Sequence, residues 1–248
     1  VYYFMERSVY ENFLLYILIG FGISMLSGFF GIGGGFVLTP LLLLFGFSPI
    51  DAITTSLLYT IGTSLAGIYA HFKLKNIYWK PAIIIGISGA IATQFAYPFV
   101  RWLERIQMDS IVIPSFYLAL LLYFAYSMLM KKRDSKHNAV TPISPKIWTL
   151  ILLGFFAGFL STTLGVGGGF FLVPLLISFF GFQSKNAVAT SLAGVLFIVS
   201  TGFTTYAINI DIHWTVGLFL ISGAIFGSPL GAKATSYFDT LRIQPLLG

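Results

Sequence analysis

Cysteine is absent from the 248 residues, which excludes disulfides, thiolate metal sites and cysteine nucleophiles. Charge is nearly as scarce: Asp, Glu, Lys and Arg make up 9% of the chain, where an ordinary soluble domain carries about 25%. With 57% hydrophobic residues, a water-soluble fold of this length could not cover itself, because the apolar side chains exceed what one core can hold. The excess faces lipid, and the chain reads as an all-α integral membrane protein. The net charge of +6 comes from basic residues in short stretches between apolar runs, without the interleaved aromatics of a nucleic-acid surface, so nucleic acid is not an expected partner. No Lys/Arg-rich start leads a short apolar stretch to an A-x-A site, so no cleaved signal is expected.

Runs able to cross about 30 Å of hydrocarbon are Phe13–Phe30, Ala52–Ala70, Pro81–Val100, Ile111–Met130, Ile147–Leu164, Ala187–Ile208 and Trp214–Gly231. Phe36–Phe47 and Phe170–Phe182 are apolar but too short for an upright crossing. Each follows glycines and contains a proline, Pro40 or Pro174, and is expected to be a broken or re-entrant element. The polar stretch from Lys131 to Lys146 reads as a linker between residues 1–130 and residues 147–248.

Those halves repeat. Ser27-Gly28-Phe29-Phe30-Gly31-Ile32-Gly33-Gly34-Gly35-Phe36-Val37-Leu38-Thr39-Pro40 matches Ser161-Thr162-Thr163-Leu164-Gly165-Val166-Gly167-Gly168-Gly169-Phe170-Phe171-Leu172-Val173-Pro174 without a gap. Past one inserted residue, Thr55-Ser56-Leu57 pairs with Thr190-Ser191-Leu192, Gly67 with Gly202 and Trp79 with Trp214. Duplication explains this agreement. The loop 71–80 carries Lys73, Lys75 and Lys80, whereas its counterpart Tyr206–Trp214 holds no Lys or Arg. By the positive-inside tendency the basic loop and the basic linker 131–146 are cytoplasmic and Asn209–His213 is outside. Equivalent loops on opposite faces mean two inverted-topology repeats, related by a two-fold axis in the membrane plane, a common transporter plan.

The strongest chemical signal is the duplicated Gly-x-Gly-Gly-Gly: Gly31, Gly33, Gly34 and Gly35, then Gly165, Gly167, Gly168 and Gly169. Glycines let the backbone leave helical geometry and approach a ligand closely. A helix restarting after them points unpaired N–H groups and its positive dipole end at whatever sits there, an anion cradle without a charged side chain. The same glycines also fit close helix packing, which by itself needs fewer of them. They do not form a dinucleotide fingerprint, whose third glycine would fall on Phe36 or Phe170.

Hydroxyls come second: Thr54, Thr55, Ser56, Thr60, Thr63 and Ser64 against Thr190, Ser191, Ser200 and Thr201. Any one of them could equally back-bond to its own helix or join two helices. Thr55, Ser56, Thr190 and Ser191 are the candidates for donating to an anion, since they occur in both halves. Asp51 in Ser48-Pro49-Ile50-Asp51 reads as part of a capping box, His71 as an interfacial residue beside Lys73, and Gln94 as a weak site candidate. Trp79, Trp102, Trp148 and Trp214 are expected at the water interfaces.

The twin glycine blocks through Pro40 and Pro174, each followed by Ala-x-x-Thr-Ser-Leu, resemble the sulfite exporter TauE/SafE family from Phe13 to Gly231. The resemblance implies a multi-pass inner-membrane permease of bacteria or archaea, an exporter of sulfur-containing anions such as sulfite, sulfoacetate or related organosulfonates. The residues themselves point only to a small anionic substrate and a lipid bilayer, with no cofactor and no metal, and leave a homo-oligomer open. One departure stands out: the chain stops at Gly248 soon after Arg242, so the second repeat lacks an equivalent of Ile111–Met130 and a last helix is expected to be missing. Two rival classes remain. A membrane-embedded enzyme is opposed by the absence of HExxH, of a carboxylate pair and of a nucleophile with a nearby base. An assembly or insertion factor without a substrate path would show a dry, packed glycine break, and a transporter a polar cavity there.

Overall fold

The computed structural model describes residues 13–31, 33–130, 146–210 and 214–237. Among them the chain forms helices α1 (Phe13–Phe30), α2 (Gly35–Leu44), α3 (Pro49–Lys73), α4 (Trp79–Arg105), α5 (Asp109–Met130), α6 (Ile147–Leu164), α7 (Gly169–Phe180), α8 (Ser184–Asn209) and α9 (Trp214–Tyr237), with no strand. The linker 131–145, the loop 211–213, Ile32 and the residues after Tyr237 lie outside the described residues.

Five helices, α1, α4, α6, α8 and α9, are long and apolar enough to cross a bilayer. The chain is a multi-pass membrane protein. α3, expected to span from the run Ala52–Ala70, has the length, yet hydroxyl residues dilute its apolar character and most of it is buried. Burial separates the helices clearly: 28% of the apolar window of α1 is covered by protein, against 72% for α8. α3 and α8 therefore form the centre, and α1 presents much of its surface to lipid.

Local chemistry sets the ends. Ser48 caps α3 by accepting from the Asp51 N–H at 3.2 Å, Pro49 follows at the first helical position, and the Ser48 hydroxyl donates to the Asp51 carboxylate at 2.6 Å. Asp51 is thus occupied at a cap. α6 ends where Gly165 turns left-handed, φ 72°, and α7 restarts after Gly168, φ 76°. Pro40 and Pro174 sit inside α2 and α7, where each removes one N–H from the helix ladder.

Small residues let the helices touch backbone to backbone, and the register of these contacts gives their directions. On α1 and α9, Gly20 lies against Leu220 and Gly28 against Ser228, so the two run parallel. On α6 and α4, Gly154 lies against Ile85 and Gly158 against Gly89, again parallel. α3 runs parallel to α9, with Leu58 on Gly217 and Gly67 near Ser228. α4 runs parallel to α8, with Ile85 by Gly194 and Tyr97 on Tyr206. Between these groups, Leu57 meets Gly202 while Gly67 meets Leu192, so α3 and α8 are antiparallel. The result is one bundle of α1, α3 and α9 and another of α4, α6 and α8, each borrowing a helix from the other half of the sequence and running opposite to its partner.

Candidate functional site

Both glycine blocks depart from helical geometry in the same way. Gly31, Gly33 and Gly34 have φ of 71°, 87° and 79°; Gly165, Gly167 and Gly168 have 72°, 84° and 76°. Only glycine takes such angles without strain, so composition and backbone agree at three matched positions. The fourth glycine of each block, Gly35 or Gly169, begins a helix. Gly35 serves close approach: a Cβ there would overlap the Gly165 carbonyl oxygen.

The blocks are brought together at the centre of the molecule. Gly33 lies near the Gly167 Cα, and the Phe36 and Phe170 rings stack with centroids 4.9 Å apart. The contacts are exchanged between halves, with Gly31 against Val188 of α8 and Gly165 against Ile53 of α3. Val188 and Ile53 occupy aligned positions. The N-termini of α2 and α7 therefore converge, and with them the positive dipole ends and the N–H groups that a first helical turn leaves without an intrahelical partner.

Hydroxyls surround this contact, and several are committed to its carbonyl groups. Ser191 donates to the Gly31 carbonyl at 2.9 Å, Thr63 to Gly33 at 3.1 Å and Thr39 to Gly165 at 3.2 Å. Tyr117 of α5 places its hydroxyl 3.3 Å from the carbonyl oxygens of both Gly35 and Phe36. Engaged carbonyls repel an anion less, so the hydroxyls bias the contact toward the N–H groups. Of the other expected donors, Thr190 accepts from the Tyr78 N–H at 3.1 Å, near the loop between α3 and α4. Thr55 is buried, and the Ser56 hydroxyl is buried without a hydrogen-bond partner.

Tyr117 and Thr39 are site residues that the sequence reading missed. Thr39 lay inside the motif, and only the fold sets it against Gly165, 126 residues away. Tyr117 had one legible signal. Pro40 cannot donate to the carbonyl four residues back, that of Phe36, and an outside donor is needed for it. Two other readings change. His71 is fully buried beside the Gly28 backbone and is not interfacial, because it lies on the face of α3 that packs on α1. Gln94 is exposed and donates to Thr205 at 3.1 Å, which ties α4 to α8 and sets it apart from the glycine contact. The four tryptophans are exposed near helix ends.

A family model described as Sulfite exporter TauE/SafE matches residues 16–248. The chain belongs to this family. Among curated proteins, a probable membrane transporter protein of Methanocaldococcus jannaschii is 32% identical over 94% of the chain and 90% of its own length. The probable membrane transporter protein YunE of Bacillus subtilis is 26% identical over 95% and 93%, and a probable membrane transporter protein of Haemophilus influenzae 29% over 90% and 89%. No solved structure matches. This TauE/SafE chain is accordingly a membrane transporter, and the three relatives above are named as probable membrane transporter proteins.

Proposed function

We propose that the protein is a secondary transporter of the inner membrane that exports sulfur-containing oxyanions such as sulfite or organosulfonates. The oxyanion sits where the N-termini of α2 and α7 meet, held mainly by backbone N–H groups of Gly31, Gly33, Gly34, Gly35, Gly165, Gly167, Gly168 and Gly169. Ser56 contributes the most available hydroxyl; Thr55, Thr190 and Ser191 assist by donating directly or by orienting the backbone. The observation that carries this reading is the convergence of the two glycine blocks, Gly33 on Gly167 and Phe36 on Phe170. Two helix N-termini, each worth roughly half a positive charge, can offset one anionic group without a lysine or arginine that would be costly in the membrane. The family description supports sulfite; the names of the relatives say only membrane transporter.

The repeats are read as inverted. The antiparallel register of α3 and α8, each parallel to the other helices of its own bundle, supports this, since α1, α3 and α4 then run opposite to their counterparts α6, α8 and α9. The cytoplasmic side is assigned to the Lys73–Lys80 end by charge. Single cysteines placed at Lys75 and Asp211 in this cysteine-free chain should label from opposite faces, and labelling from one face would end the inverted reading.

One observation favours a second reading, an assembly or insertion factor without a transport path: the glycine contact is tightly packed, with the Tyr59 ring against Gly34 and Thr60 against Gly33 and Gly167. Alternating access also requires a closed centre in some conformations. Flux into proteoliposomes with labelled sulfite, sulfoacetate, thiosulfate and sulfate separates the two. Uptake of a sulfur oxyanion above protein-free vesicles is expected, and none for any of them would favour the assembly factor.

A further inference from the structure

His71 is buried near the C-terminal end of α3, and neither ring nitrogen has a hydrogen-bond partner. Two buried hydroxyls on the same pair of helices, Ser27 of α1 and Ser64 of α3, also lack partners. Ser64 and His71 lie two turns apart on one face of α3. Ser27 is one turn before Gly31, whose N–H bonds to the Ser27 carbonyl at 2.7 Å. Ser27, Ser64 and His71 are thus three buried polar groups without partners on α1 and α3.

The other half also buries unpaired hydroxyls, those of Ser161, Thr162 and Thr163 on α6 and of Ser184 on α8, but it has no ionisable ring at the position of His71. The residue aligned with Ser64 is Val199, and the residue aligned with His71 is Tyr206. Tyr206 donates to the Thr162 carbonyl at 3.2 Å, and Thr162 aligns with Gly28, the residue whose backbone lies beside His71. One half fills the position with a phenol that donates to a carbonyl, the other with an imidazole against the equivalent Gly28 backbone, a ring that can bind a proton where water reaches it. Among the described residues, the ionisable groups on the surrounding elements supply no carboxylate to His71. Lys73 and Lys75 on its own segment, Lys80 on α4, Lys185 on α8 and Lys233 on α9 are exposed, as are Tyr69 and Tyr78. Tyr16 belongs to the far end of α1, and the Tyr59 hydroxyl is bonded to the Gly20 carbonyl at 2.7 Å.

We propose that His71 is a proton-binding site that couples transport to the proton gradient; the coupling rests on the transporter reading above. An imidazolium buried without a partner is costly, so the proton-free ring suits the sealed packing described here, and a proton favours a packing in which the ring reaches water. The proton passes from water to a ring nitrogen and back to water, and only an N–H bond forms and breaks. Ser27 and Ser64 line the route by which water meets His71 and the glycine contact together, so that one opening serves proton and anion.

The test uses the full chain in proteoliposomes with labelled sulfite as probe, comparing the wild type with His71→Gln and His71→Tyr, the latter introducing the residue found at the aligned position. Accumulation driven by an imposed pH gradient should fall to the no-gradient level in both variants, while sulfite counterflow without a gradient persists. Retained gradient-driven accumulation in the variants overturns the proposal, as does a wild type whose sulfite flux ignores the gradient. Loss of counterflow as well, in variants that stay monodisperse, assigns His71 to packing and also overturns it. If the wild type carries no sulfite, the substrate reading fails separately, and the ring decides alone. Its imidazole ¹⁵N resonance, assigned by its loss in His71→Gln, should show the ring binding a proton as the pH falls, and a resonance that stays neutral down to the pH at which the protein unfolds sinks the site. If neither variant inserts, the resonance is assigned instead by replacing the other two histidines, His137 and His213, and the spectrum still decides the matter.

Discussion

α3 and α8 occupy equivalent places in the two halves and face each other across the centre, yet one is polar where the other is apolar. Thr60, Thr63, Ser64 and His71 of α3 align with Val195, Ile198, Val199 and Tyr206 of α8. The flanking glycine blocks, by contrast, share their dihedral pattern position by position. The cradle geometry is common to both halves, whereas the polar side chains at positions 60, 63, 64 and 71 give way to Val, Ile, Val and Tyr in the second. The carbonyl interactions differ accordingly: Thr63 holds the Gly33 carbonyl, and on α8 the aligned Ile198 has no hydroxyl to hold that of Gly167. On the proposed reading the two helix ends share the anion, and α3 alone brings an ionisable ring.

The largest effect should come from the shared element. At Gly34 a Cβ would meet the Tyr59 ring at 2.7 Å, and at Gly168 the Ala157 carbonyl oxygen at 3.1 Å, both on a left-handed backbone. Gly34→Val and Gly168→Val should each abolish sulfite flux in inserted protein, with Gly34→Val also the less stable of the two. The left-handed geometry alone costs a non-glycine residue about 1–2 kcal/mol, and the ring overlap adds to it at Gly34. Normal flux from both inserted variants would reduce the blocks to packing surfaces and remove the basis for the comparison.

Tyr117 sharpens the contrast from the first half. It is buried in α5 and supports the carbonyls of Gly35 and Phe36 beside Pro40. Tyr117→Phe keeps the ring and leaves those oxygens without that donor, so a loss of about 1–3 kcal/mol in unfolding free energy is expected, with reduced flux. Unchanged thermal stability would mean that the 3.3 Å contacts contribute nothing.

Much of this was legible in the sequence, for physical reasons that differ by element. α1 and α6 end at the expected residues because their apolar runs stop at glycines that must take positive φ. The capping role of Asp51 was legible because a cap is local chemistry, confined to Ser48 through Asp51. The convergence of the blocks followed from duplication plus the rule that broken backbone inside a membrane must line protein or a cavity. His71 was misplaced because its neighbours Phe72, Lys73 and Lys75 are exposed, and sequence alone does not tell which face of a helix end turns inward. Tyr117 and Thr39 reach carbonyls 82 and 126 residues away. No pattern within one run encodes such a pairing.

The smallest expected effect tests the comparison most finely, because Ser56 and Ser191 are aligned and chemically identical. Ser191 donates to the Gly31 carbonyl at 2.9 Å, while the Ser56 hydroxyl has no partner. Removing a donor from a buried carbonyl costs about 1–3 kcal/mol, so Ser191→Ala should lower the melting temperature. Removing a hydroxyl that bonds to nothing should leave stability unchanged or raise it slightly. For substrate the order reverses. Ser56 is free to donate to an oxyanion, and Ser56→Ala should weaken sulfite binding by about 1.5–3 kcal/mol if that bond forms to a charged ligand. Ser191→Ala should act on binding only through the loosened Gly31. Thermal unfolding and sulfite affinity measured on both variants therefore give a crossed pattern. If both substitutions move both quantities equally, the two hydroxyls play one role, and the division between a holding half and a donating half is wrong.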